Sequence, residues 1–131
     1  MNKHENFTFT KRVDLAPGAR TTVAINMDQS AIFMLSELSM FASVVSGATG
    51  TTHAGLVVPD CVAQISEGST GKNFSDGMVH VSALFGTANN HRKLPVAQLV
   101  QAGGTLQVEL QNQGTESYRL NLAFIGVKVQ K

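Results

Sequence analysis

Residues 106–124 read LQVELQNQGTESYRLNLAF, and this stretch decides the fold class. Leu106, Val108 and Leu110 alternate with Gln107, Glu109 and Gln111, and Tyr118, Leu120, Leu122 and Phe124 alternate with Arg119, Asn121 and Ala123. Apolar residues at every second position are what a half-buried strand needs, because successive side chains point to opposite faces. Between the runs, Gln113-Gly114-Thr115-Glu116 has turn composition, so the stretch reads as a C-terminal β-hairpin. After Phe124 the apolar parity changes to Val127 and Val129, with Gly126 at the change. A bulge or bend at Gly126 that transfers the strand's inward face is the expectation.

The same period runs through the rest of the chain. Phe7 to Leu15 alternates, Ala16-Pro17-Gly18 supplies a tight turn, and Thr21 to Met27 resumes the alternation, so these segments read as a strand pair. Residues 31–45, AIFMLSELSMFASVV, are ambiguous. Ile32, Leu35, Leu38 and Phe41 have helical spacing, but no capping box opens the segment and its context favours a strand. Gly47 to Gly55 and Ser66 to Gly77 read as loops, Val57 to Ile65 as a strand, and Met78 to Val81 as a short strand running into Ala83, Leu84 and Phe85. Leu94 to Val100 completes the set. About eight strands with regular turn signals predict an all-β fold, an antiparallel β-sandwich of jelly-roll type. Residues 1–131 form one domain, with 1–6 expected as a flexible N-terminal arm.

Composition narrows the function. Of 131 residues, 43% are hydrophobic and 15% charged, which supports a packed core. The charged share lies well below the usual fraction of about 25%. Neutral Ser, Thr, Gln and Asn fill the polar positions, a surface that loses little on desolvation against another protein. The net charge is +1, and the densest basic run is His91-Arg92-Lys93, which does not make a nucleic-acid binder. No stretch is apolar enough for a membrane span, and the polar start, Met1 to Asn6, is not a signal peptide.

The residue types that could serve catalysis or metal binding read as ordinary structural ones. His4, His53, His80 and His91 lack the short spacings of a zinc site, and His80, between Val79 and Val81, reads as a solvent-facing strand residue. Cys61 alternates with Val57, Ala63 and Ile65 and reads as a small buried hydrophobe. Gly47–Gly55 has no Gly-Lys-Ser/Thr sequence for a phosphate, and Asp14, Asp28, Asp60 and Asp76 fall at turns, where Asp bonds its own backbone. No catalytic residue, cofactor or metal is expected. The exposed polar segments Lys3-His4, Thr51-Thr52-His53 and Asn89-Asn90-His91-Arg92-Lys93 are the expected partner contacts.

The segment Leu94 to Asn112, LPVAQLVQAGGTLQVELQN, followed by Tyr118 to Val129, YRLNLAFIGVKV, resembles small decoration or cement proteins of tailed-bacteriophage capsids. Val13 to Ala19, with Ile32 to Leu35, fits the same pattern more weakly, and the resemblance covers about half the chain. It carries no catalytic signature. It implies a self-associating jelly-roll-like sandwich, a dimer or trimer, made in the bacterial cytoplasm and bound to the major capsid protein on the virion's outer surface. Tail or fibre attachment, or a glycan- or receptor-binding role, is the alternative. A metal-dependent enzyme of cupin shape is a further rival, and it would require histidines converging inside the barrel.

Overall fold

The computed structural model describes residues 3–46, 50–52, 59–68, 71–87 and 90–130. These form ten strands and one short helix: β1 (Lys3–Leu15), β2 (Arg20–Asn26), β3 (Ala31–Ser46), β4 (Gly50–Thr52), β5 (Cys61–Glu67), β6 (Lys72–Asn73), β7 (Val79–His80), α1 (Val81–Phe85), β8 (Arg92–Val100), β9 (Thr105–Asn112) and β10 (Ser117–Gln130). All pairings are antiparallel, and the strands make two sheets. The first runs β1-β10-β3, with β8 and β4 sharing the far edge of β3. The second runs β2-β9-β5, with β6 and β7 sharing the far edge of β5. The core is sealed between them by Phe33, Leu35, Leu38 and Phe124 from the first sheet and Ile65, Leu106, Val108 and Leu110 from the second. The expected β-sandwich is therefore what the chain forms, and the ambiguous segment 31–45 is a strand.

Pairing differs from expectation at both tight turns. Leu106–Leu110 and Tyr118–Phe124 are strands, yet they are not a hairpin: β9 pairs with β2 and β5, and β10 with β1 and β3. Nor do β1 and β2 pair. Each connection instead steps from one sheet to the other, and the two steps are fastened together. The first is a β-turn in which Ala19 N donates to Ala16 O at 2.9 Å, with Gly18 at φ +76°. Its residues then join the end of β9, since Gly18 N donates to Asn112 O and Asn112 N to Ala19 O. The fully buried Asn112 side chain completes the join. Its Nδ2 donates to Leu15 O at 3.1 Å and Glu116 O at 2.7 Å, and its Oδ1 accepts from Gly114 N at 2.9 Å. One amide thus ties the end of β1, the end of β9 and the approach to β10.

Gly126 is a special position, but the extra residue lies on the opposite strand. Ile125 pairs with Glu37 and Gly126 with Leu35, so Ser36 is the bulged residue, its hydroxyl donating to Ile125 O at 3.2 Å. A Cβ on Gly126 would overlap the Met34 carbonyl oxygen and lie 2.9 Å from its carbon. Only glycine lets the strands approach this closely. The inward parity of β10 does not switch there, because its pairing with β1 runs unbroken from Lys3↔Gln130 to Leu15↔Tyr118. Lys128 accordingly keeps the inward side, with Nζ 3.5 Å from the Phe7 ring centroid and 2.7 Å from Asp28 Oδ2.

Three smaller corrections follow. Residues 3–6 belong to β1, opposite Val127–Gln130, so they are not an arm. The strand expected at 78–85 stops at His80, where the chain turns into α1, and the His80 ring accepts from Ser82 N at 3.4 Å as an N-cap. His80 is half-buried and engaged in this cap; it does not stand in solvent. Within the expected loop 47–55, Gly50–Thr52 is a strand, and residues 47–49 and 53–58 lie outside the described residues.

Two substitutions, with a third as control, test these constraints by urea denaturation. Gly126→Ala should lower stability by about 2–4 kcal/mol through overlap with Met34. Gly77→Ala, whose added carbon meets nothing within 4 Å, should stay within about 0.5 kcal/mol of the parent. Asn112→Ala should cost on the order of 2–4 kcal/mol, because two carbonyls and one amide lose their partner together; a change below about 1 kcal/mol would remove Asn112 as a fastening.

Candidate interaction surface

Directly paired residues on antiparallel strands share a face, so the ladder sorts every outward side chain. On the second sheet the outward set is Arg20, Thr22, Gln107, Glu109, Gln111 and Gln64, with neighbours of similar character. Arg20 and Glu109 form an ion pair across β2 and β9. Ala24 and Val62 are the apolar members of this face, which is otherwise polar and suits contact with water.

The first sheet is different. Along β10 the inward residues Leu120, Leu122 and Phe124 alternate with outward Ala123, Ile125, Val127 and Val129, so the strand is apolar on both sides. In register beside them on β3 are Met34, opposite Val127, and Ile32, opposite Val129. Leu99 of β8 sits opposite Met34 and is 45% exposed. Ile32, Met34, Leu99, Ile125, Val127 and Val129 therefore form one outward apolar patch at one end of this sheet.

The expected contact residues divide around this patch. His4 is exposed, pairs with Val129 and stands at one corner. Lys93 is exposed, pairs with Glu37 in the row of Ile125, and stands at the opposite corner. The two give the patch a polar rim, as protein interfaces commonly have. Lys3 pairs with Gln130 at the same end of the sheet. Thr51 and Thr52 pair with Val45 and Val44; at ~3.3 Å per residue they lie about 40 Å along β3 from the row of His4. Asn90 and His91 are exposed, Asn90 closing a turn on Thr87 and His91 bridging to Gly86. Arg92 turns to the inward side opposite Leu38 and donates to Leu84 O at 3.1 Å. His53 and Asn89 lie outside the described residues. The expected residues thus do not converge on one point. The apolar patch between His4 and Lys93 was missed, although apolar residues at both parities over 120–129 are its sequence signal.

Phe41 is 43% exposed in the middle of the same outward face. It borders a shallow depression of about 330 Å³ with Thr10, Arg12, Ser39 and Asn121. Among the described residues no three His, Cys, Asp or Glu side chains are placed to hold a metal ion together. No helix among them is long and apolar enough to cross a membrane. Cys61, at the start of β5, is fully buried, and burial, then the neighbouring Asp60 carboxylate, push its thiol from 9.0 up to about 11. No family model matches this chain, and no curated protein matches it either.

The thiol gives a test of the second sheet. At pH 8 Cys61 should be inert to a disulfide reagent in the native protein and react fully in urea. Since its folded value lies above its unfolded one, the stability it contributes is complete below pH 9 and is lost as pH rises towards 11. Relative to Cys61→Ala, the parent should lose roughly 2 kcal/mol across that window, read by denaturant midpoints. Rapid labelling of the folded protein at pH 8 would contradict the buried placement.

Proposed function

We propose that this protein is a non-enzymatic structural component of a bacteriophage virion, decorating and cementing the outer capsid surface by adhesion. One observation carries the reading: at one end of the first sheet β3, β8 and β10 carry an outward apolar patch behind their core-facing side chains, whereas the outer face of the second sheet is mostly polar. Sheets with two apolar faces are sheets covered on both sides, and large exposed apolar patches mark association sites. The cover is supplied by other protein, either shell subunits or further copies of this chain in a dimer or trimer. A rigid sandwich seated across a joint between major capsid protein subunits stabilises the assembled shell, because it binds the assembly and not its parts. The low charge of the chain favours such contact, as little charge is desolvated.

The nested pairing of β1 with β10, β2 with β9 and β3 with β8 supports a jelly-roll winding of the sandwich. The resemblance of segments 94–112 and 118–129 to capsid decoration proteins points the same way, to a protein made in the bacterial cytoplasm and carried on the virion exterior. A second reading, a glycan- or receptor-binding module on a tail or fibre, is favoured by Phe41 beside Arg12 and Asn121, since an exposed ring with polar neighbours can stack on a sugar.

The test is cosedimentation with capsid shells of the encoding virus, with native mass measurement of the free protein. The parent protein should pellet with shells. Met34→Glu and Leu99→Glu, which put charge into the patch, should weaken pelleting at least tenfold while leaving the thermal transition of the free protein in place. A monomer that never binds shells ends the cement reading; saccharide binding abolished by Phe41→Ala would establish the second.

A further inference from the structure

The outer strands of the two sheets differ in how well they are guarded against further pairing. β8 leaves its ladder between Lys93 and Gln98, so Leu94-Pro95-Val96-Ala97 stand opposite the single Ser36 as a flap over a cleft of about 290 Å³. A break with a proline in it stops an edge from templating another strand. β4, β6 and β7 have only two or three residues each, and β2 has seven. β1 is the exception, with 13 residues, no proline and an unbroken register against β10. Alternate residues of such a strand turn their N–H and C=O groups away from its one partner. Among the described residues, no hydrogen bond outside the β1–β10 ladder reaches the backbone of residues 4–14.

The side chains along this free border fit a second copy of it. Val13 and Leu15 face the core, so Glu5, Phe7, Phe9 and Lys11 share their parity, and His4, Asn6, Thr8, Thr10 and Arg12 take the other. Glu5 and Lys11 are exposed all the same, and among the described residues neither makes an ion pair or a side-chain hydrogen bond. Between them Phe7 and Phe9 are half-buried, their rings edge-on with centroids 4.8 Å apart. A charge at a core-facing position of an edge strand ordinarily repels an incoming strand. Two charges of opposite sign, one on either side of an aromatic pair, instead complement the same strand run antiparallel. Directly opposite residues share a face, so only registers that set like parity against like are open. With Thr8 opposite Thr8, Glu5 meets Lys11 and Phe7 meets Phe9 on one face, each twice by symmetry. On the other face Asn6 meets Thr10, and His4 and Arg12 meet at the two ends. Sliding the copies by two residues either way sets Glu5 against Val13 or Phe9 and loses both ion pairs.

We propose that β1 pairs with β1 of a second copy of this chain, antiparallel about a two-fold axis at Thr8, so that the first sheet runs on through a dimer. The contact is isologous, each copy giving the same border. Backbone hydrogen bonds hold it in the manner of an added strand, and the Glu5–Lys11 pairs fix register and partner. Because the axis stands perpendicular to the sheet, both outward apolar patches lie on the same side of the dimer. Ile125, Val127 and Val129 pair with Thr8, Asn6 and His4, so the patches flank the axis and stay free for another partner. The dimer does not rest on the virion reading, and shell binding can fail while the dimer stands.

The test is sedimentation equilibrium of the full-length protein at submillimolar concentration and low salt. The parent should be a dimer whose association weakens as salt is added. Glu5→Lys alone and Lys11→Glu alone each set like charges opposite one another, and each should weaken association about tenfold or more. Mixed in equal amounts, the two variants restore opposite charges at both positions, and the mixture should regain the mass of a dimer. The two changes combined in one chain should restore it as well, which keeps the test valid if a single variant folds poorly. Met34→Glu, in the outward patch, should leave the dimer in place. Four results each overturn the proposal: a monomeric parent, single variants that associate like the parent, a mixture that stays monomeric, or a dimer abolished by Met34→Glu.

Discussion

The contact of the Met34 carbonyl with Gly126 governs more of this molecule than its size implies. It requires a residue without a side chain on β10, and it places the extra residue, Ser36, on β3. Insertion of one residue reverses the alternation of a strand. Ala31, Phe33 and Leu35 face the core before the bulge, and Leu38, Met40 and Ala42 face it after, with a step of three positions from Leu35 to Leu38 in place of two. Without that shift one half of β3 would turn its apolar residues outward. On the other side of β3 the same irregularity is where β8 leaves the ladder, so the flap at 94–97 and the cleft below it share its origin.

This geometry explains what could be read from the chain and what could not. Each long strand was legible, because each buries one face of alternating residues. The helical spacing of Ile32, Leu35, Leu38 and Phe41 had a physical source, namely two strand registers joined by a bulge. Strand partners were not legible. Pro17-Gly18 and Gln113-Gly114 specify a reversal of the chain, and a reversal serves equally to close a hairpin or to step between packed sheets. What selects the step is Asn112, whose amide reaches Leu15 and Glu116, about 100 residues apart along the chain. No local pattern announces a side chain that bonds at such range. The outward patch was not legible either: polarity marks His4 and Lys93, which stand at its corners, whereas the patch itself depends on β10 carrying apolar residues at both parities.

The two sheets divide the labour of a small domain. The second presents glutamine, threonine and an Arg20–Glu109 pair to solvent and needs no cover. The first carries the long strands β1, β3 and β10, whose apolar content exceeds what one core face can absorb. With 15% charged residues, the chain lacks the side chains that would mask this excess.

The pairing of β1 with β10 has a consequence for how the molecule comes into being. Lys3 lies against Gln130, and thirteen such pairs hold the earliest strand to the latest. A ribosome releases β1 long before β10 exists, and β2 likewise waits for β9. The first sheet therefore cannot close until β10 has emerged, and its apolar strands stay exposed until then. Non-local closure of this kind makes folding slow and leaves the nascent chain prone to aggregation.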